Sequence, residues 1–321
     1  MAHLIPAAGD HLRQILSETF PIWNDGLEFD RYVQFWEAQL RTPWGAAHLD
    51  RVALVDDGRV MSSAKRYDLS ARLDGRIRRM LGIGAVFTSP ARRGQGAAQR
   101  LLEVILEQAE AEGYEYALLF SEIAPAFYER LDFVPVPLLE SRLDVTRQGG
   151  APAMLVRAGD DRDLPAVVEM STKRLETARF ALDRTEDWIR FGLAKRRLLA
   201  GFGPPGLREV EFLVAEEGHQ AVAYVIAMIH EGRWFIEDAG DRDPAGARLG
   251  AILQVMLART PHLGSPDIIA WLPQGFLPPQ VAHVHTRPTV EVMMIRPLKD
   301  RTLPLPPLDA TQVAYARLDY F

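Results

Sequence analysis

Cysteine is absent from the 321 residues. That excludes a disulfide framework, a thiolate nucleophile and a cysteine metal site. The eight histidines show no H-x-x-x-H spacing. The closest pair, His283-x-His285, sits among prolines and reads as loop histidines, so no metal is expected. No apolar run reaches the length that spans a bilayer, so no membrane partner is expected. Met1 to Gly9 lacks a long apolar core, so no secretory signal is expected and the cytoplasm is the expected compartment. An excess of positive charge is missing as well. A net charge of −6 and a pI of about 5.8 argue against a general nucleic-acid surface. What remains is a globular composition, 48% hydrophobic and 25% charged, long enough for two domains.

One stretch organises the chain: Ile83 to Leu106, IGAVFTSPARRGQGAAQRLLEVIL. Ile83 to Phe87 is an apolar strand, ended by Thr88-Ser89-Pro90. Arg92, Arg93, Gly94, Gln95 and Gly96 form a basic glycine loop. From Ala97 the pattern turns helical, with Leu101, Leu102, Ile105 and Leu106 at three- and four-residue spacing. Backbone N–H groups at a helix start lack intrahelical partners and favour an anion. Gly94 and Gly96 allow a close approach to the backbone, and Arg93 adds charge. Such a loop suits a pyrophosphate. It is not a Rossmann fingerprint, because Gln99 stands where the third glycine belongs. It is not a P-loop, because no Lys-Ser or Lys-Thr follows.

Arg93-x-x-Gly96-x-Ala98, preceded by V-x-T-x-P, resembles the coenzyme A pyrophosphate loop of the GNAT N-acetyltransferase superfamily, [QR]-x-x-G-x-[GA]. Downstream, Tyr116 to Phe120 is a short strand. Ser121 to Phe133 then resembles the family's helix ending in Y-x-x-x-G-F, with Asp132 in place of the glycine. The match covers about a quarter of the chain. Over Ser121 to Phe133, with a large second domain, the chain also resembles fungal lysine N6-acetyltransferases.

The rest of the chain follows the same plan. Helices are expected over 10–20 and 28–40, with Trp23, Trp36 and Trp44 as pocket candidates by resemblance. Asp57-Gly58 and Asp74-Gly75 mark hairpin turns, so an antiparallel meander precedes the loop. Phe133-Val134-Pro135-Val136-Pro137 follows, a strand at 138–145 closes the first half, and Gln148-Gly149-Gly150 reads as a linker. The second half repeats the element order, with strands at 268–272 and 290–295 near its end. There Asp241-Arg242-Asp243-Pro244 replaces the basic glycine loop, and two carboxylates would repel a pyrophosphate. The expected fold class is α/β (α+β): two tandem GNAT-like domains, each a mixed, mostly antiparallel twisted sheet flanked by helices. Residues 1–147 would form the acetyl-CoA-binding domain and 151–321 a degenerate GNAT-like domain with a proline-rich tail.

The resemblance implies an acetyl-CoA-dependent N-acetyltransferase in which a neutral primary amine attacks the thioester directly. Val86, Phe87 and Thr88 would meet the pantetheine arm; Arg93, Gly94, Gln95, Gly96, Ala97 and Ala98 would hold the pyrophosphate. Backbone N–H groups near Thr88 would stabilise the oxyanion. Tyr128 would protonate the leaving thiolate, since a phenol with a pKa of about 10 holds its proton at neutral pH. Strand 77–87 has no acidic residue, so the base is sought elsewhere: Glu122, or a terminal carboxylate at Phe321. The acceptor stays open between a lysine-like amine, an aminoglycoside and another small amine. So does homo-oligomerisation. A coenzyme A-binding sensor or an inert interaction scaffold are the other classes.

Overall fold

The computed structural model describes residues 2–122, 125–146, 154–259, 266–272, 276, 278–299 and 307–321. The linker expected at Gln148-Gly149-Gly150 lies outside them. In chain order the first half comprises β1 (His3–Pro6), α1 (Gly9–Trp23), α2 (Phe29–Leu40), α3 (Pro43–His48), β2 (Leu49–Asp56), β3 (Arg59–Leu73), β4 (Arg76–Thr88), α4 (Ala97–Ala111), β5 (Tyr116–Ser121), α5 (Ala126–Glu129), β6 (Val134–Val136) and β7 (Leu139–Val145). The second comprises β8 (Leu155–Ala158), α6 (Leu164–Leu175), β9 (Phe180–Leu182), α7 (Glu186–Phe202), β10 (Arg208–Glu217), β11 (Gln220–His230), β12 (Arg233–Asp241), α8 (Ala247–Arg259), β13 (Ile268–Ala270), β14 (Val281–Pro288), β15 (Val292–Pro297) and β16 (Val313–Ala314). Two compact units result. One comprises Met1–Val136, Val290–Pro307 and Phe321; the other comprises Pro137–Thr289 and Leu308–Tyr320.

The first unit is built on a sheet of order β1-β2-β3-β4-β5-β15-β6, antiparallel except between β4 and β5. Both Asp-Gly turns form with two successive positive φ angles: 48° and 71° at Asp57-Gly58, 50° and 75° at Asp74-Gly75. That geometry matches the twist of the flanking strands. Alternation along the strands splits the side chains between two faces. Val52, Leu54, Leu81, Ile83 and Leu119 pack with Leu101, Leu102 and Ile105 of α4. The periodicity read in 97–106 is therefore the core stripe of that helix, and each fully buried leucine contributes about 2 kcal/mol. Ala53, Val55 and Val60 on the other face pack with Ile15 of α1. That helix runs on through Pro21 to Trp23, past the end expected at residue 20.

The second unit's sheet has the order β14-β7-β13-β12-β11-β10-β8, parallel only between β12 and β13. It repeats the meander, helix and parallel strand of the first. Thr185 caps α7, its hydroxyl accepting from the Trp188 N–H at 3.1 Å. Both sheets are thus mixed, mostly antiparallel and flanked by helices, as the sequence indicated.

The two sheets trade strands. β7 pairs with β13 and β14 in the second unit (Ala270↔Ser141, His283↔Leu143). β15, from the far end of the chain, enters the first sheet between β5 and β6 (Met294↔Leu119, Met294↔Pro135). Short apolar strands carry no mark of which sheet they complete. His283 and His285 lie in β14 rather than in a loop, in a β-branched run from Val281 to Thr286. His283 is exposed, and partial desolvation lowers its pKa. Residues 308–320 are anchored in the second unit through Asp319. Its carboxylate accepts from Arg184 at 3.1 Å and from the Trp188 indole at 2.7 Å, deep in the core.

Candidate active site

The end of β4, a 3-10 turn at Pro90–Arg92 and the start of α4 form a cradle. Gly94 and Gly96 have φ of 74° and 75°, where glycine alone pays little. A Cβ on either would meet no atom within 4 Å, so both face open space. Gly96 is the N-cap of α4, and no side chain caps the helix. The donors of its first turn are available to a ligand. Arg93 is exposed, its Nε directed to the Thr88 carbonyl at 3.4 Å; Gln95 donates to the Ala91 carbonyl at 3.2 Å. Ala97 is buried and Ala98 half-buried. Arg78 and Arg79 stand at the opposite end of β4 from this loop, where Arg78 is paired with Glu115 at 2.6 Å and Arg79 with Asp68 at 3.0 Å. Those two charges are largely spent on structure.

Beside the cradle, β4 is bulged and then parts from its neighbour. Ser63 pairs with Phe87 but Lys65 with Gly84, so two residues, Ala85 and Val86, oppose Ala64. Ala85 takes a φ of +48°, rare and strained for a residue with a Cβ. The parallel pairing with β5 covers Met80 to Ile83 only. Among the described residues, Gly84 to Thr88 have no partner on β5. Phe87 is buried with its ring 6.2 Å from that of Trp23, so its side chain belongs to the core. The Ser62 hydroxyl donates to its carbonyl at 2.6 Å. The alternation sets Val86 and Thr88, both half-buried, on the opposite side from the Phe87 ring.

Tyr128 lies in the short helix α5 and is buried. The rings of Phe127 and Phe133 hold it edge-on at 5.1 and 6.1 Å. Asp132 takes a φ of 61°, the left-handed conformation its glycine counterpart would adopt. Burial pushes the Tyr128 pKa up to about 12, and the Glu122 carboxylate adds to the shift. Glu122 itself is exposed, just after β5 ends at the buried Ser121.

Phe321 lies in a trough on the face of β4 away from α4. A Cβ on Gly82 would come 2.9 Å from the Phe321 ring; one on Gly84 would come 3.5 Å from its main-chain oxygen. Tyr67 and Phe120 wall the trough, their centroids 4.6 and 5.7 Å from Phe321. Trp44 stacks between Tyr67 and His48, and Trp36 lies beneath Arg51 and Lys65. Neither glycine was distinguishable in the sequence from an ordinary strand residue. Gly82→Ala should destabilise this unit by about 1–3 kcal/mol, because Leu69, Tyr67 and Phe321 all crowd the new methyl. Urea titration would measure it.

In the second unit the corresponding helix start is already filled. The Asp241 carboxylate accepts from the N–H groups of Arg248 at 2.9 Å and Leu249 at 3.0 Å, and from that of Asp243 at 2.8 Å. The sequence suggested repulsion of an anion; the geometry adds that this carboxylate uses the donors itself. Asp241→Ala should cost about 1 kcal/mol of stability by uncapping α8, seen as a lower urea midpoint.

Residues 14–136 match the acetyltransferase (GNAT) domain family. The sequence matches no curated protein. Among solved structures, a GCN5-related N-acetyltransferase from Anabaena variabilis aligns over 93% of this chain and 73% of its own, with a TM-score of 0.69 and 13% identity. One from Kribbella flavida covers 92% and 71%, at 0.69 and 16%. Saccharomyces cerevisiae N-myristoyltransferase with bound myristoyl-CoA covers 92% and 82%, at 0.55 and 10%. At these identities the likeness shows the fold: that of the GNAT N-acetyltransferases, in tandem. Among the described residues no helix is long and apolar enough to cross a membrane, and no cluster of three His, Asp or Glu could hold a metal.

Proposed function

We propose that the chain is an acetyl-CoA-dependent N-acetyltransferase acting on a primary amine through its first unit. One observation carries the reading: the uncapped glycine cradle of α4 lies directly after the stretch of β4 that has left β5. The cradle suits a pyrophosphate, and the free strand edge suits an extended amide chain such as pantetheine. In this reading Arg93, Gly94, Gln95, Gly96, Ala97 and Ala98 bind the diphosphate, largely by main chain. The backbone of Val86, Phe87 and Thr88 orients the acyl group, and its N–H groups face the carbonyl oxygen. Tyr128 holds the proton for the departing thiolate.

The base is sought at Glu122 or at Phe321, whose main-chain oxygen lies beside Gly84 at the β4 bulge; the exposure of Glu122 argues against Glu122. The second unit, its helix start occupied by Asp241, binds no coenzyme A. The test is release of free coenzyme A thiol from acetyl-CoA with a panel of primary amines. Amine-dependent release supports the transferase. Binding of acetyl-CoA without release would make the protein a sensor, and neither would make it a scaffold.

A further inference from the structure

The face of the first unit's sheet that carries Phe321 also holds a group the chain leaves unused. Arg51 of β2 is only 4% exposed. Its Nε and one terminal nitrogen have no hydrogen-bond partner, and among the described residues no carboxylate pairs with it. The Tyr32 hydroxyl and the Trp36 ring, 5.1 Å from the guanidinium, are its support. A buried cation without a counter-ion is costly, and burial pushes its pKa down.

Its surroundings share the deficit. The Ser63 hydroxyl, the Tyr67 hydroxyl and the Trp36 indole N–H are buried with no partner. The strand register places them together. Arg51 opposes Lys65, and Lys65 opposes Gly84, so the three form one row across β2, β3 and β4. Ser63 and Tyr67 flank Lys65 on the same face of β3. The row ends at Gly84, where β4 leaves β5. Two strand spacings, about 10 Å, separate the positions of Arg51 and Gly84.

Resting on the transferase reading, we infer that the acceptor is an amine that also bears a carboxylate, and that Arg51 binds this carboxylate while the amine reaches toward Gly84. Unpaired donors around a buried guanidinium fit the two oxygens of a planar anion. Lys65, with its Nζ 5.1 Å from the Trp36 centroid on the same face, adds to the positive field. A polycationic acceptor such as an aminoglycoside would meet that field as repulsion. Arg51 is a binding residue here and takes no part in proton transfer. The spacing favours an amine several bonds from the carboxylate over one on the adjacent carbon.

The experiment is a calorimetric titration of the full chain, preloaded with coenzyme A, using acid and amide pairs. L-Lysine is compared with L-lysinamide, and 5-aminopentanoate with 5-aminopentanamide. The acids are expected to bind at least tenfold more tightly than their amides. Arg51→Gln should remove that difference and leave the amides unchanged, with Arg51→Lys retaining part of it. Equal affinity within each pair, or no binding of either acid, overturns the assignment. Should Arg51→Gln fail to fold, the pairs on the unaltered protein still decide. Failure of coenzyme A itself to bind would instead overturn the transferase reading, and the pairs can be titrated without it.

Discussion

Gly96→Trp should abolish acetyl-CoA binding while leaving a folded protein. Gly96 has a φ of 75°, and its missing side chain points into space empty to 4 Å. An indole there meets no protein atom at its root, so it does not disrupt the core. It occupies the approach to the first-turn N–H groups of α4. The backbone strain of a non-glycine residue at this φ costs about 1–2 kcal/mol, a fall of several degrees in melting temperature. Binding should drop at least a hundredfold, because the anion loses several main-chain hydrogen bonds together. Calorimetry with acetyl-CoA, beside a thermal melt, checks both halves. A variant that binds normally would remove the cradle from the site.

Tyr128→Phe should lower kcat about a hundredfold, or about 2.7 kcal/mol in the barrier, with little change in KM for acetyl-CoA. Only the hydroxyl is lost, and the ring contacts to Phe127 and Phe133 persist. The pH profile sharpens the test. With its pKa pushed up to about 12, Tyr128 stays protonated through the working range. The rate should therefore climb with pH as the amine and its base deprotonate, with no decline from Tyr128 below about pH 10. The shift also bears on stability. A phenol with a raised folded-state pKa contributes fully below the unfolded value of about 10, and that contribution is lost as pH rises through about 12. A kcat unchanged in Tyr128→Phe would end its role as acid.

Local chemistry made the cradle readable. Glycines, a loop arginine and a helical leucine pattern lie within 24 consecutive residues, and each acts on its own neighbours. Asp132 could be accepted for a glycine because aspartate tolerates the left-handed region it adopts at 61°. The Asp-Gly turns follow the same logic. Features set by distant partners were not readable. Ala85 carries nothing that announces a bulge, yet its φ of +48° coincides with the parting of β4 from β5. Strands β7 and β15 were visible as strands, but their sheets were not, since register is fixed by whichever edge receives them. Gly82 and Gly84 gain meaning only when Phe321, more than two hundred residues on, lies against them. Arg51 in the run Leu49-Asp50-Arg51-Val52 looked like any strand arginine until burial left it unpaired. Asp241 was read as a repelling charge; its hydrogen bonds to the start of α8 appear only in three dimensions.

The central claim is that one unit of the tandem fold binds coenzyme A and the other has closed its own site. Titration of the purified chain with acetyl-CoA, counting sites, tests this most directly. One site per chain is the predicted result. Two sites would contradict the reading of Asp241, and none would contradict the transferase itself.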